Sequence, residues 1–143
     1  MGMSDRRKAR QAALQLLYQV ELEGDSTPEG LARAWEVLGL GPDSSRGFAE
    51  RLVRGTIDDL RRIDESISGA ADNWHLDRIS RVDLSILRVA VEELMREPEV
   101  PSRVIVDEAM EVAKRFSGER SASFINGVLD RIARQLGRDF AAL

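Results

Sequence analysis

The chain has 143 residues, the size of one domain with one core. Hydrophobic residues make up 43% and charged residues 32%, which excludes a disordered polyelectrolyte; cysteine is absent, which excludes disulfides, thiolate metal ligands and thiol nucleophiles. The net charge of -4 argues against a protein that coats nucleic acid by overall charge, so any RNA binding needs a local basic patch.

No apolar run approaches the ~20 residues needed to cross a bilayer. The start, MGMSDRRKARQ, is charged and lacks the apolar segment of a secretory signal. A soluble, cytoplasmic protein with no membrane role is expected.

The helical period runs through almost the whole chain, and strand alternation does not. In the first helix Ala9, Ala12, Ala13, Leu16, Leu17 and Val20 form one apolar stripe. Ser4 is placed to cap its start, and Gly24-Asp25-Ser26 ends it. Thr27-Pro28 then reads as a cap followed by proline in the first turn. Leu31, Trp35 and Leu38 give a short apolar face closed by Gly39 and Gly41. The third helix is expected to open at Asp43 or Ser44, carry Phe48, Leu52, Thr56, Leu60, Ile63 and Ile67, and end near Gly69.

Asn73, Trp74 and His75 fall in a connector, and Ser80 caps the fourth helix. There Val82, Leu84, Ile86, Leu87, Val89, Val91 and Leu94 cover nearly all sides, which predicts a central, buried helix over 82–96. Pro98 and Pro101 stop it. Ser102 caps the fifth helix, with Ile105, Ala109, Val112 and Phe116 on its stripe, and Gly118 supplies a left-handed end. Ser121 opens the last, with Phe124, Ile125, Val128, Leu129, Ile132 and Leu136 inward. The fold class is all-α: a compact bundle of about six helices in a single domain, 1–143.

Enzyme chemistry finds little support. His75 is the only histidine, and no glycine-rich phosphate loop or strand-borne dinucleotide fingerprint is present. Asp58-Asp59 and Glu92-Glu93 are adjacent acids, which point about 100° apart on a helix and read as solvated faces. No catalytic residue, metal or cofactor is expected.

Two segments are more informative. Arg6, Arg7, Lys8 and Arg10 crowd the first turns of helix one, where the helix dipole disfavours cations by ~0.3–1 kcal/mol each. A cluster that opposes the local rule suggests an anionic partner. Arg7, Arg10, Leu14 and Tyr18 fall at i, i+3, i+7 and i+11, so cations sit beside a ring on one flank of the stripe. Single-stranded RNA uses that pairing: cations for phosphates, rings for unpaired bases. An ordinary basic amphipathic helix is the competing reading. The second segment, FSGERSASFINGVLD, puts Asn126-Gly127 inside a helix. Glycine there costs ~1 kcal/mol relative to alanine, and the expected reason is close approach of another helix.

Three stretches together resemble the NusB family of transcription antitermination factors: RRKARQAALQLLYQVE, RISRVDLSILRVAVEEL and VPSRVIVDEAMEVAKRFSGERSASFINGVLD. The resemblance implies two packed three-helix sub-bundles and a non-enzymatic role. It implies binding of boxA single-stranded RNA in ribosomal RNA leader transcripts, together with NusE, a small-subunit ribosomal protein. It also implies entry into an antitermination complex with RNA polymerase and other Nus factors. Carried over by position, the implied RNA surface is Arg6, Arg7, Lys8, Arg10 and Tyr18, with Phe116, Glu119, Arg120, Ser121 and Ser123; Asp83 is the implied NusE-facing residue. Asp83→Lys is then expected to weaken the complex and leave the fold intact. Arg120 stands where the family often has an acid, which removes repulsion towards phosphate; Ala122 and Ser123 replace positions that are often polar or basic. The alternatives are a helical protein-interaction module, or a homodimer, without strong intrinsic RNA affinity. An accessory domain like that of some ribosomal RNA methyltransferases also resembles this fold, but 143 residues leave no room for a cofactor-binding domain.

Overall fold

Every described stretch with helical periodicity is helical in the computed structural model, which describes residues 3–40, 45–72 and 75–138. Seven α-helices and one 3-10 turn are found among the described residues, and no strand. They fall into two compact units, one up to Asp58 and one from Asp59 onward.

The first unit holds α1 (Met3–Glu23), α2 (Pro28–Val37) and α3 (Arg46–Asp58). The α1 stripe is buried as its period requires, from Ala9 to Val20, and α1 packs on both α2 and α3. Ser4 lies within α1 and not before it. Thr27 caps α2: its hydroxyl accepts from the Gly30 N–H at 3.1 Å. The same hydroxyl and the Thr27 N–H both donate to Asp25, which holds that carboxyl below its ordinary pKa. Gly30 has a steric reason, since a Cβ there would meet the Asp25 carbonyl oxygen at 2.3 Å. Buried Thr56 donates to the Leu52 carbonyl at 2.6 Å, so its hydroxyl is satisfied inside the helix.

The single third helix read from the sequence is two helices. α3 stops at Asp58, Asp59 leaves helical geometry (φ -106°, ψ 17°), and α4 spans Leu60–Ala70. Both halves keep a 3.6 period, so the stripe gave no sign of the break. Aspartate is a weak helix former, and the Asp59 carboxylate is instead drawn into an ion pair with Arg96. The expected opening at residues 43–44 lies outside the described residues, as do Asn73 and Trp74 of the connector.

The second unit adds the 3-10 turn Leu76–Arg78, α5 (Arg81–Arg96), α6 (Ser102–Phe116) and α7 (Glu119–Gln135). α5 packs against α4, α6 and α7, with Leu87 and Val91 at 0% exposure. Ser80 caps it, accepting from the Asp83 N–H at 3.1 Å. Arg88 grips Asp64 of α4 through two parallel bonds of 2.8 and 2.9 Å, the fork geometry that makes arginine pairs strong. At the other end of α5, Arg138 donates to the carbonyls of Leu94, Val100 and Glu97 at 2.9, 2.7 and 2.7 Å. A cation there meets the negative pole of the helix.

Several local expectations are corrected. Glu92 and Glu93 are buried, not a solvated face; Arg96 reaches Glu92 at 3.4 Å. Ser102 is the first residue of α6 rather than its cap, and Ser121 lies inside α7, whose cap position is Gly118. Gly118 takes φ +102°, a conformation that needs glycine. Gly127 is exposed, and among the described residues a Cβ there would have nothing within 4 Å, so the close helix approach expected at this glycine is not found. Leu136 and Phe116, read as inward, are exposed.

Candidate nucleic-acid interface

The residues implied for RNA fall into two groups, one on each unit. On α1, Arg7 and Lys8 are exposed. Tyr18 is half-buried and lies eleven residues beyond Arg7, so three helical turns, or about 16 Å along the axis, separate cation from ring on one face. Arg6 is half-buried and its guanidinium lies 4.7 Å from the centre of the Phe48 ring. Arg10 departs from the expected exposed flank: it is 7% exposed, because it follows Arg6 by one turn onto the packed side of the helix.

On the second unit, Phe116 closes α6 and is 49% exposed. Glu119, Arg120 and Ser123 are exposed on the first turns of α7. Ser121 is half-buried, and its hydroxyl donates to Asp83 Oδ2 at 2.9 Å. The implied partner residue and one implied RNA residue therefore touch. Asp83 is only 8% exposed, and its Oδ1 is buried with no hydrogen-bond partner. Beside this pair opens a cleft of about 300 Å³, lined by Arg78, Ile79, Ser80, Asp83, Arg120, Ser121 and Phe124. Arg78 and Phe124 were not singled out from the sequence. Arg78 lies in a connector without periodicity, and Phe124 was read as core but is half-buried.

His75 is exposed, and no group of three or more His, Asp or Glu side chains among the described residues is arranged to hold a metal. No helix among the described residues is long and apolar enough to cross a membrane.

These features define a class: an all-helical protein whose exposed cations and rings, and not a catalytic constellation, are its distinctive surface chemistry. Comparison with known proteins narrows it. The model of the NusB family matches residues 7–134. The transcription antitermination protein NusB of Sorangium cellulosum is 48% identical over 136 residues, covering 95% of this chain and 96% of that protein. NusB of Geobacter sulfurreducens is 42% identical over 134 residues, 94% and 97% of the two chains. Among solved structures, T. maritima NusB superposes with a TM-score of 0.80 at 38% identity, over 91% of each chain. A crystal structure of antitermination factors NusB and NusE in complex with double-stranded RNA contains a chain with a TM-score of 0.78 at 25% identity, covering 94% of this chain and 99% of that one. The chain belongs to the NusB family. It is a non-enzymatic transcription antitermination factor.

Proposed function

We propose that this chain, acting as one NusB-like domain over 1–143, binds the boxA element of ribosomal RNA leader transcripts together with NusE. It works in the cytoplasm and joins RNA polymerase with other Nus factors. The observation that carries this reading is the exposed Arg7-Lys8 pair on α1, with the Tyr18 ring on the same face, in a chain of this family. The relative solved with NusE and RNA supports both partners. That RNA is double-stranded; single-stranded boxA is favoured here because the Tyr18 and Phe116 rings can stack only on unpaired bases.

Each residue keeps a distinct role. Arg7 and Lys8 contact phosphates directly, with Arg6 beside them. Arg10, being buried, holds its neighbours in place more than it meets RNA. On the second unit Phe116 stacks on a base, Arg120 meets phosphate, and Glu119, Ser121 and Ser123 contribute polar contacts. Asp83 serves the NusE-facing side. A second reading, a helical interaction module or homodimer with weak intrinsic RNA affinity, draws on one fact: of the four basic residues from 6 to 10, only Arg7 and Lys8 are exposed.

The test is a titration with boxA RNA, a scrambled strand and a duplex, each with and without NusE. Binding should weaken with salt by a slope of roughly 0.7 per neutralised phosphate on single strands. Arg7→Ala with Lys8→Ala should weaken all strands alike and lower the slope by about two contacts. Tyr18→Ala or Phe116→Ala should instead cost ~1–3 kcal/mol with little change in slope. Unaltered boxA affinity of the double variant at low salt, with NusE present, would place RNA binding elsewhere. Duplex bound as tightly as boxA would overturn the single-strand assignment.

A further inference from the structure

We propose that the cleft beside the Asp83–Ser121 pair receives one unstacked nucleotide of the bound RNA, its base inside and its phosphate held between Arg78 and Arg120. The inference rests on the RNA-binding reading. It adds to that reading a residue of the 3-10 turn, Arg78, and a pocket for a base.

The two arginines come from different elements: Arg78 ends the 3-10 turn, and Arg120 is the second residue of α7. Both are exposed, and both line the one cleft of about 300 Å³. Arg120 stands at the positive pole of its helix, where a cation costs stability unless it meets an anion. The apolar walls of the cleft are Ile79 and the half-buried Phe124 ring. Asp83 is the one acid among the described residues of the lining. It is 8% exposed and accepts the Ser121 hydroxyl at 2.9 Å, so the cations and not the acid meet what enters. The same bond ties the start of α5 to the start of α7, which holds the elements carrying Arg78 and Arg120 against each other.

An apolar cleft with a few polar groups is the form that small ligands use. A nucleotide brings the matching pair: a flat ring for the apolar walls and a phosphate for two guanidinium forks. A carboxylate side chain of a protein partner would satisfy the arginines but leave the apolar walls unused. Arg120 also belongs to the exposed set read as facing RNA, so the cleft opens on the path of the strand. The Arg78 contact is to backbone and adds affinity for every sequence, whereas the enclosed base is where sequence can be read.

The experiment uses the full chain, with and without NusE, against single-stranded boxA RNA over a salt series and against boxA strands that each lack one base. Arg78→Gln should weaken boxA and scrambled strands alike, about threefold or more at low salt, and lower the salt slope by roughly 0.7. Arg81→Gln removes the same charge from the exposed start of α5, about 200° around the helix from Asp83, and should leave the slope unchanged. With the wild-type chain, one missing base should cost roughly fivefold or more in affinity. Phe124→Leu, which keeps an apolar wall without a ring, should shrink that penalty at the same position only. In nuclear magnetic resonance of the wild-type chain, the Arg78 Nε–Hε and Ile79 methyl signals should shift with boxA and shift less with the strand lacking that base. This readout decides even if a variant folds poorly. Equal loss of slope from Arg78→Gln and Arg81→Gln would reduce the clamp to general charge and sink it. An Arg78→Gln chain that binds RNA normally but NusE poorly would give the cleft to the protein partner instead. Static signals, with no penalty altered by Phe124→Leu, would remove the pocket and leave the RNA reading standing. A wild-type chain that binds no RNA at low salt, with or without NusE, overturns both.

Discussion

Leu87→Ala lowers the unfolding free energy by ~2–5 kcal/mol in denaturant melts followed by far-ultraviolet dichroism. Leu87 has no exposed surface and lies on α5, the helix against which α4, α6 and α7 all pack. Truncation there removes packed atoms in the middle of the second unit, where no neighbour can close the gap without pulling another helix with it. The same change at Leu22, which is 56% exposed, should be nearly silent. A loss under half a kcal/mol for Leu87→Ala would mean that the second unit is not built around α5.

Asp83→Lys costs on the order of 3 kcal/mol of stability, in contrast to the intact fold expected from the sequence. Asp83 is buried, it accepts the Ser121 hydroxyl, and it sits in the first turn of α5, where the helix dipole favours an acid. Lysine would lose the bond from Ser121 and set a cation at the positive pole of the helix. Loss of NusE binding by this variant would then report a damaged second unit and not a repelled surface. Asp83→Asn separates the two effects, because its amide oxygen can still accept from Ser121 while the charge is gone. Thermal melts should place Asp83→Asn close to wild type and Asp83→Lys well below it. An Asp83→Lys variant that melts like wild type yet fails to bind NusE would restore Asp83 as a simple surface contact.

What was legible in the sequence was what local chemistry decides. Thr27 and Ser80 cap their helices as read, because a cap needs only a hydroxyl three residues before a free N–H. The burial of α5 was legible because apolar residues cover its girth. The break at Asp59 was not, since an apolar stripe of constant period passes straight through it and an ion pair with Arg96, 37 residues away, helps to take Asp59 out of the helix. Charged residues were the least legible. Arg10, Glu92 and Glu93 are buried although their residue types favour the surface, and the shared ring beneath Arg6 and Arg51 joins residues 45 positions apart in a chain of 143. For the candidate site, the cluster on α1 was legible as composition, but which of its cations face solvent was not. The Asp83–Ser121 bond, across 38 residues, was invisible in the same way.

The carbonyls gripped by Arg138 bear on the order in which the protein takes shape on the ribosome. The first unit is complete once Asp58 has been made, and all of its helix pairings are local enough to close early. The second cannot finish so soon. The carbonyls of Leu94 in α5 and of Glu97 just past its end wait 44 and 41 residues for their donor, which at typical elongation rates is a delay of several seconds. During that interval the central helix of the unit has a frayed end and uncovered apolar sides. A nascent chain paused before Arg138 should therefore show a protease-resistant first unit and a second unit that is still cleaved near α5.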